Sequence, residues 1–313
     1  MKFLFFLRIT MKSEEWKGYV YALVGTISFS SLYVFSKAGL NQVELAQFGL
    51  YYFGIGFLLN LIFFISSGKI SEVKAFPRKV FGLLLILAAL DLASNITFFM
   101  AIRAISDPSV TSFLGNLFPV FLTSLGIFFL NDRFSLLEAM GGIMAITGAF
   151  IISYTGELNW QKLFIPGTGL VVINTFLAAT FSVIVKKNVD KASPVVFNLN
   201  SLCWIFLSFL GYFIWSGLPL AIPAKAMLNI ALGAFFGSFI GLLSFFYSYR
   251  YISASRSSII QSLKGIFVLT IAYFYLDKLP LAIQLWGGGI TVAGVMIMTM
   301  AQAGIIHTRK INK

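Results

Sequence analysis

Apolar residues run through this chain in unbroken blocks of about 18–23, separated by short polar stretches, without the strict alternation of a half-buried strand. About 20 such residues cross the roughly 30 Å hydrocarbon layer of a bilayer as a helix, whereas a transmembrane barrel needs alternating segments of about 10. The blocks predict ten spans: Gly18–Phe35, Leu45–Ser66, Val80–Ile102, Ser109–Leu130, Leu136–Tyr154, Ile165–Val185, Pro194–Trp215, Met227–Tyr249, Ser257–Leu276 and Leu281–Gln302. Connections as short as Asn131–Ser135 and Asp277–Pro280 make consecutive spans antiparallel neighbours. The expected fold is an all-α integral membrane protein of ten transmembrane helices.

Composition agrees: 58% of residues are apolar and 11% charged, against roughly a quarter charged in soluble domains. The single Cys203 excludes an intramolecular disulfide, and the single His307, in a basic tail, excludes His-based metal sites and His-dependent triads. No phosphate-binding glycine loop is present, so we expect no nucleotide or other cofactor. The net charge of +12 does not read as nucleic-acid binding, because Lys and Arg sit in short loops between spans. With a cytoplasmic N-terminus, seventeen of the 23 basic residues fall on the cytoplasmic side, among them Lys69, Lys74, Arg133, Lys186, Lys187 and Arg256. Five (Lys37, Arg103, Lys162, Lys225, Lys278) fall outside, and Lys264 lies within span 9. That bias places both termini in the cytoplasm. The apolar stretch within Met1–Thr10 is too short for a signal sequence and reads as an interfacial extension, with Met11 a second candidate start.

Ala101-Ile102-Arg103-Ala104-Ile105-Ser106 after span 3 and Ser248-Tyr249-Arg250-Tyr251-Ile252-Ser253 after span 8 share Arg-x-Ile-Ser at an offset of 147. Gly141-Gly142 matches Gly287-Gly288, and Gly148 matches Gly294, at an offset of 146. Each half holds five spans, so the second enters the membrane from the opposite side: two inverted-topology five-helix repeats, an architecture of secondary transporters.

Those strings, with Leu117-Phe118-Pro119-Val120 and Leu130-Asn131-Asp132-Arg133-Phe134, resemble the EamA repeat of the drug/metabolite transporter superfamily, once per half. The resemblance implies an N-terminal extension (1–17), a first repeat (18–154), a linker (155–164), a second repeat (165–303) and a basic tail (304–313). It also implies a central cavity lined by spans 3, 4, 8 and 9. The chain departs from the family pattern in having Asp132 and Asp277 where Glu is usual, Lys264-Gly265 opposite Pro119, and Phe29-Ser30 for a Trp-Gly pair, while Lys37 is kept.

Asp91 in span 3 and Lys264 in span 9 fall deep in the bilayer, where a lone charge costs roughly 2.5–3.5 kcal/mol on insertion scales, so each should face the interior or a water-filled cavity. Asn95 shares a face with Asp91; Ser257, Gln261 and Lys264 form a second polar stripe, and Ser112, Asn116 and Thr123 a third, interrupted by Pro119. Asp91, Asn95, Asn116, Gln261 and Lys264 are the candidate substrate-binding or coupling residues. Asp91 would take the ammonium of a zwitterion or a coupling proton, and Lys264 a carboxylate; the bland alternative is a structural Asp91–Lys264 ion pair. Pro119 should kink span 4 as a gating point. Lys37, Arg103 and Arg250 read as interfacial snorkels. Asn174, Ser182, Asn198 and Asn200 read as interhelical hydrogen-bond partners, and Gly233, Gly237 and Gly241 as a packing stripe. Phe98, Phe99, Trp204, Tyr247 and Phe267 are candidate aromatic walls.

The expectation is a secondary transporter, an exporter of small metabolites such as amino acids across the cell membrane, with the lipid bilayer and a small-molecule substrate as partners. An intramembrane lipid-modifying enzyme and a channel or sensor are the competing readings. Proton coupling and a monomer or homodimer both stay open.

Overall fold

A computed structural model describes residues 14–67, 78–130, 134–156, 163–188, 194–306 and 310–311. Met1–Thr10, Met11, Lys69, Lys74, Asp132, Arg133, Lys162 and His307 lie outside the described residues. Ten helices among those described are long and apolar enough to cross a membrane: Glu15–Leu40 (span 1), Leu45–Ser66 (2), Phe81–Ala104 (3), Pro108–Phe129 (4), Leu136–Ser153 (5), Thr168–Lys187 (6), Asn198–Ser216 (7), Ala224–Tyr251 (8), Arg256–Leu276 (9) and Ala282–Gln302 (10). Helices meet the requirement that every backbone polar group in lipid be satisfied within its own segment. Hydroxyls inside the spans do the same: Thr26, Ser30, Ser153 and Thr175 each donate to the carbonyl four residues earlier, at 2.5–2.9 Å. Span 1 continues past Phe35 to Leu40, because Ser36 and Lys37 are buried in protein rather than marking its exit to water.

The packing repeats with its halves exchanged. Span 1 packs on 8 and 9 as span 6 packs on 3 and 4; span 2 meets 8 as span 7 meets 3; and spans 2 and 7, 4 and 9, and 5 and 10 meet across the relation. Spans 5 and 10 interlock through the glycines that mark the repeat. A Cβ on Gly141 would lie 2.5 Å from the carbonyl oxygen of Gly294, and one on Gly294 would lie 2.6 Å from that of Gly141. Gly148 and Gly287 stand in the same relation, at 2.6 and 2.9 Å. Between helices in lipid, such backbone approach replaces the hydrophobic drive available in water.

Span 4 is two half-helices, Pro108–Gly115 and 118–130, joined at Asn116-Leu117; span 9 is likewise Ala254–Gln261 and Lys264–Leu276, joined at Ser262-Leu263. The joints stand at the same offset of 146 and touch, with Asn116 Nδ2 donating to the Ser262 carbonyl at 3.4 Å. Both first halves start at matched caps: the Asp107 carboxylate accepts from the Ser109 N–H at 2.8 Å, and Ser253 Oγ from the Arg256 N–H at 3.3 Å. The expected kink at Pro119 is therefore a break that precedes the proline. Pro119 occupies the first turn of the second half-helix, where a missing N–H costs nothing. Span 9 breaks without a proline. Its polar stripe crosses the joint: Gln261 Nε2 donates to Ser257 Oγ at 3.2 Å within the first half-helix, and Lys264 opens the second.

Span 8 carries a π-helical stretch, Phe235–Gly241. The glycine stripe packs there as expected: a Cβ on Gly237 would lie 2.9 Å from the Tyr52 hydroxyl and one on Gly241 would meet Phe29 at 2.5 Å, while Asn60 Nδ2 donates to the Ser238 carbonyl at 2.9 Å.

One end of the bundle, here the near end, carries the start of span 1 and the end of span 10. Glu15 pairs there with Arg256 at 3.4 Å, and the strand pair Phe134–Ser135 (β1) and Lys310–Ile311 (β2) ties the tail to the start of span 5. At the far end the main hydrophobic core gathers Phe48, Phe53, Phe99, Ile102, Ile205 and Ile230.

Candidate functional site

A cavity of about 460 Å³ lies at the centre of the bundle. Its far wall is a layer of touching rings: Tyr33 meets Phe98 edge-on at 5.1 Å, Phe98 meets Phe99 at 5.0 Å, and Phe99 meets Tyr52 at 4.9 Å. These rings, with Phe53, close the cavity; Tyr33, Tyr52, Phe53 and Phe99 are at most 5% exposed. Toward the near end the wall is polar and half-exposed, at Ser182, Asn198 and Ser238. The cavity is thus closed by buried rings at the far end, and its more exposed polar lining lies toward the near end.

Asp91, Asn95, Gln261 and Lys264 all line this cavity. Asn95, one helical turn beyond Asp91, donates to its Oδ1 at 2.9 Å and to its carbonyl at 2.8 Å. No Asp91–Lys264 ion pair forms. The Lys264 ammonium instead lies 5.2 Å from the centroid of the Tyr33 ring, a cation–π contact, while its carbonyl accepts from Ser30 Oγ at 3.2 Å. A carboxylate and an ammonium thus face one cavity without neutralising each other. Asn116 and Pro119 do not reach the main cavity and line a smaller adjoining one.

The lining is wider than spans 3, 4, 8 and 9. Spans 1, 2, 6 and 7 contribute Thr26, Tyr33, Tyr52, Asn174, Ser182 and Asn198. The inverted packing brings spans 1 and 6 between the others, which periodicity in a uniformly apolar helix does not reveal. The available signal is the series Thr26, Phe29 and Tyr33 on one face of span 1. Asn174 does bridge helices, donating to the Ser94 carbonyl at 2.8 Å and Oγ at 3.0 Å, as does Asn200 to the Leu84 carbonyl at 3.0 Å. Asn198 reaches Asn60 Oδ1 at 3.4 Å, whereas Ser182 bonds back to its own helix at Ala178. Of the aromatic candidates, Phe98 and Phe99 line the cavity; Trp204, Tyr247 and Phe267 do not.

Lys37 is no interfacial snorkel. It is 6% exposed, and Nζ donates to the carbonyls of Ile102, Arg103 and Ile105 at 2.9, 2.9 and 2.8 Å. An ammonium there satisfies carbonyls freed where span 3 ends and complements that helix terminus. Beside it, Arg103 pairs through both guanidinium nitrogens with Glu44 at 2.8 and 3.1 Å. The guanidinium holds the Glu44 carboxyl below the usual carboxylate range. Arg250, at the near end, lies 5.1 Å from the Tyr247 ring centroid.

Known proteins resemble this chain in sequence and in fold. The sequence matches the EamA-like transporter family twice, over residues 16–154 and 165–300. The chain belongs to that family. An uncharacterized transporter of Archaeoglobus fulgidus is 25% identical over 190 residues, spanning 60% of this chain and 67% of that protein. The uncharacterized transporter YdfC of Bacillus subtilis is 20% identical over 278 residues, 83% of each chain. A crystal structure at 13% identity superposes with a TM-score of 0.67 over 91% of this chain and 96% of that one, which is a likeness of fold. EamA membership and the ten spans make the protein a multi-pass membrane transporter of the drug/metabolite superfamily.

Proposed function

We propose that this EamA transporter is a secondary carrier that exports a small zwitterionic metabolite, of the amino-acid kind, across the cytoplasmic membrane by alternating access, with both termini cytoplasmic. The observation that carries the reading is the pair of opposite, mutually unpaired charges, Asp91 and Lys264, facing one cavity that is closed at the far end. Charges in a membrane interior are costly unless something compensates them. A zwitterion compensates both, its ammonium at Asp91 and its carboxylate at Lys264, with Asn95 orienting the aspartate and Gln261 adding an amide. A volume of about 460 Å³ is within the range of small-molecule sites, and the ring layer suits an apolar side chain. The more exposed polar lining lies toward the terminus-bearing end, the loading side of an exporter, and Asp91 is the group able to carry a coupling proton.

Counterflow in proteoliposomes tests this. Vesicles loaded with unlabelled amino acids should accumulate labelled aromatic or aliphatic ones saturably, and an imposed pH gradient should alter the rate if a proton is coupled. Asp91→Asn should lower exchange at least about tenfold at normal membrane abundance, roughly 1.4 kcal/mol. Flux that never saturates, or full exchange in Asp91→Asn, overturns the reading.

A further inference from the structure

Span 9 carries cavity wall on two sides. Beyond it lies a second cavity of about 120 Å³, which shares Gly115, Phe118, Gln261 and Lys264 with the first and continues along spans 4 and 10. Its polar wall is Asn116, Thr123, Gln261, Lys264, Thr299 and Gln302, together with Ser258 and Ser262, and no carboxylate among the described residues lines it. Gln302, at the end of span 10, is exposed, so the pocket runs from the near end toward the helix breaks and Lys264.

Lys264, Asn116 and Thr123 on this wall have donors to spare. Lys264 offers three N–H and has no carboxylate within ion-pair distance among the described residues. Asn116 Nδ2 makes one long bond, 3.4 Å to the Ser262 carbonyl. Thr123 Oγ1 accepts from Gln302 Nε2 at 2.6 Å, which leaves its own O–H able to donate. Phe118 and Lys264, which begin the two second half-helices, also line the pocket, as do Gly115 and Gln261, which end the two first ones. A pocket lined by an ammonium and several neutral donors, with no acid among its described residues, in a medium that strengthens charge interactions, selects negative charge.

We propose that this side pocket is an anion subsite, taking a carboxylate or a small monovalent anion such as chloride against Lys264, with Asn116, Thr123 and Gln302 as the neutral donors. It deepens the transporter reading and rests on it only for its physiological use: the anion is either the substrate's own carboxylate or a free inorganic ion. The size of the pocket admits such a group and excludes a bulky polyol acid.

Binding is measured without transport, so the two proposals fail separately. The full-length protein in detergent is unfolded thermally at constant ionic strength in sodium gluconate, sodium chloride or sodium acetate, with tryptophan fluorescence as the signal. Chloride or acetate should raise the midpoint saturably over gluconate, by about 2–4 °C at saturating anion. A rise with acetate alone assigns the subsite to the substrate's carboxylate; a rise with chloride as well assigns it to a free anion. Lys264→Met should abolish the rise, and Thr123→Val and Gln302→Leu should each cut it at least twofold, which keeps the test intact if Lys264→Met does not fold. Equal midpoints in the three salts, or an undiminished rise in the folded variants, overturn the proposal.

Discussion

The two repeats agree where they build the bundle and differ where they face the cavity. Gly141 and Gly148 in the first repeat and Gly287 and Gly294 in the second are interchangeable partners in one contact, and the joints at Asn116-Leu117 and Ser262-Leu263 occupy matched positions. The charges have no such match. At the repeat offsets Asp91 stands opposite Ser238, and Lys264 opposite Phe118. A scaffold that must present similar surfaces in exchanged positions holds its packing residues to the symmetry, whereas a site for an asymmetric solute needs different chemistry from each half.

The largest effect should follow from breaking the symmetric part. Gly148→Leu and Gly294→Leu, at matched positions of the two repeats, each drive a side chain into the backbone of the facing span. Overpacking of this kind costs typically 1–3 kcal/mol and more where backbone is the obstacle. Both variants should lose most monodisperse protein in fluorescence-detected size exclusion, and to a similar degree. A large difference between the two would break the equivalence of the halves.

Next in size are the asymmetric residues. Lys264→Met should weaken exchange at least about tenfold, more for carboxylate-bearing solutes than for uncharged ones, while Ser238→Ala, at the position matching Asp91, should change it less than about twofold. Ser238 Oγ is already bonded to the Ala234 carbonyl at 2.6 Å, within its own helix. Initial rates in proteoliposomes separate these outcomes.

Pro119→Ala should be smaller still. Span 9 breaks at the corresponding place with Gly265 opposite the proline, so packing of the two joints, rather than the ring, sets the break in span 4. A change of under about 1 kcal/mol in thermal stability and near-normal exchange are expected. Loss of exchange would return the gating role to the proline.

The smallest effect belongs to the exposed Glu44–Arg103 pair at the far end, worth about 0–1 kcal/mol. The Glu44 carboxyl is held below its ordinary range, so its contribution is complete at neutral pH and is lost as pH falls through the folded-state value. The stability difference between wild type and Glu44→Gln should therefore shrink on acidification and stay constant above neutrality, as followed by melting at stepped pH.

The length of each apolar block made the spans legible, and the glycine offsets made the repeat legible before any contact was known. Asp91, Asn95, Gln261 and Lys264 stood out because charge and amide groups are rare in such blocks, and the structure gathers them at one cavity. Three features did not show. The break in span 9 has no proline to announce it; it arises where two half-helices meet their symmetry mates. Tyr33 and Tyr52 look like any aromatic in a membrane helix until the packing order of spans 1 and 2 is known. Lys37 is at a span end, where a lysine ordinarily reaches for water, and only the tertiary approach of span 3 supplies the carbonyls that draw it inward.

That carbonyl-held ammonium also makes Lys37 a clock. An amine bound by three acceptors and shielded from solvent is a poor nucleophile toward acylating reagents, so it should react only during the intervals in which the far end of the bundle parts. Counted by mass spectrometry against the exposed Lys225, its modification rate would report how often that end opens, in a protein whose cargo need not be known for the count to be made.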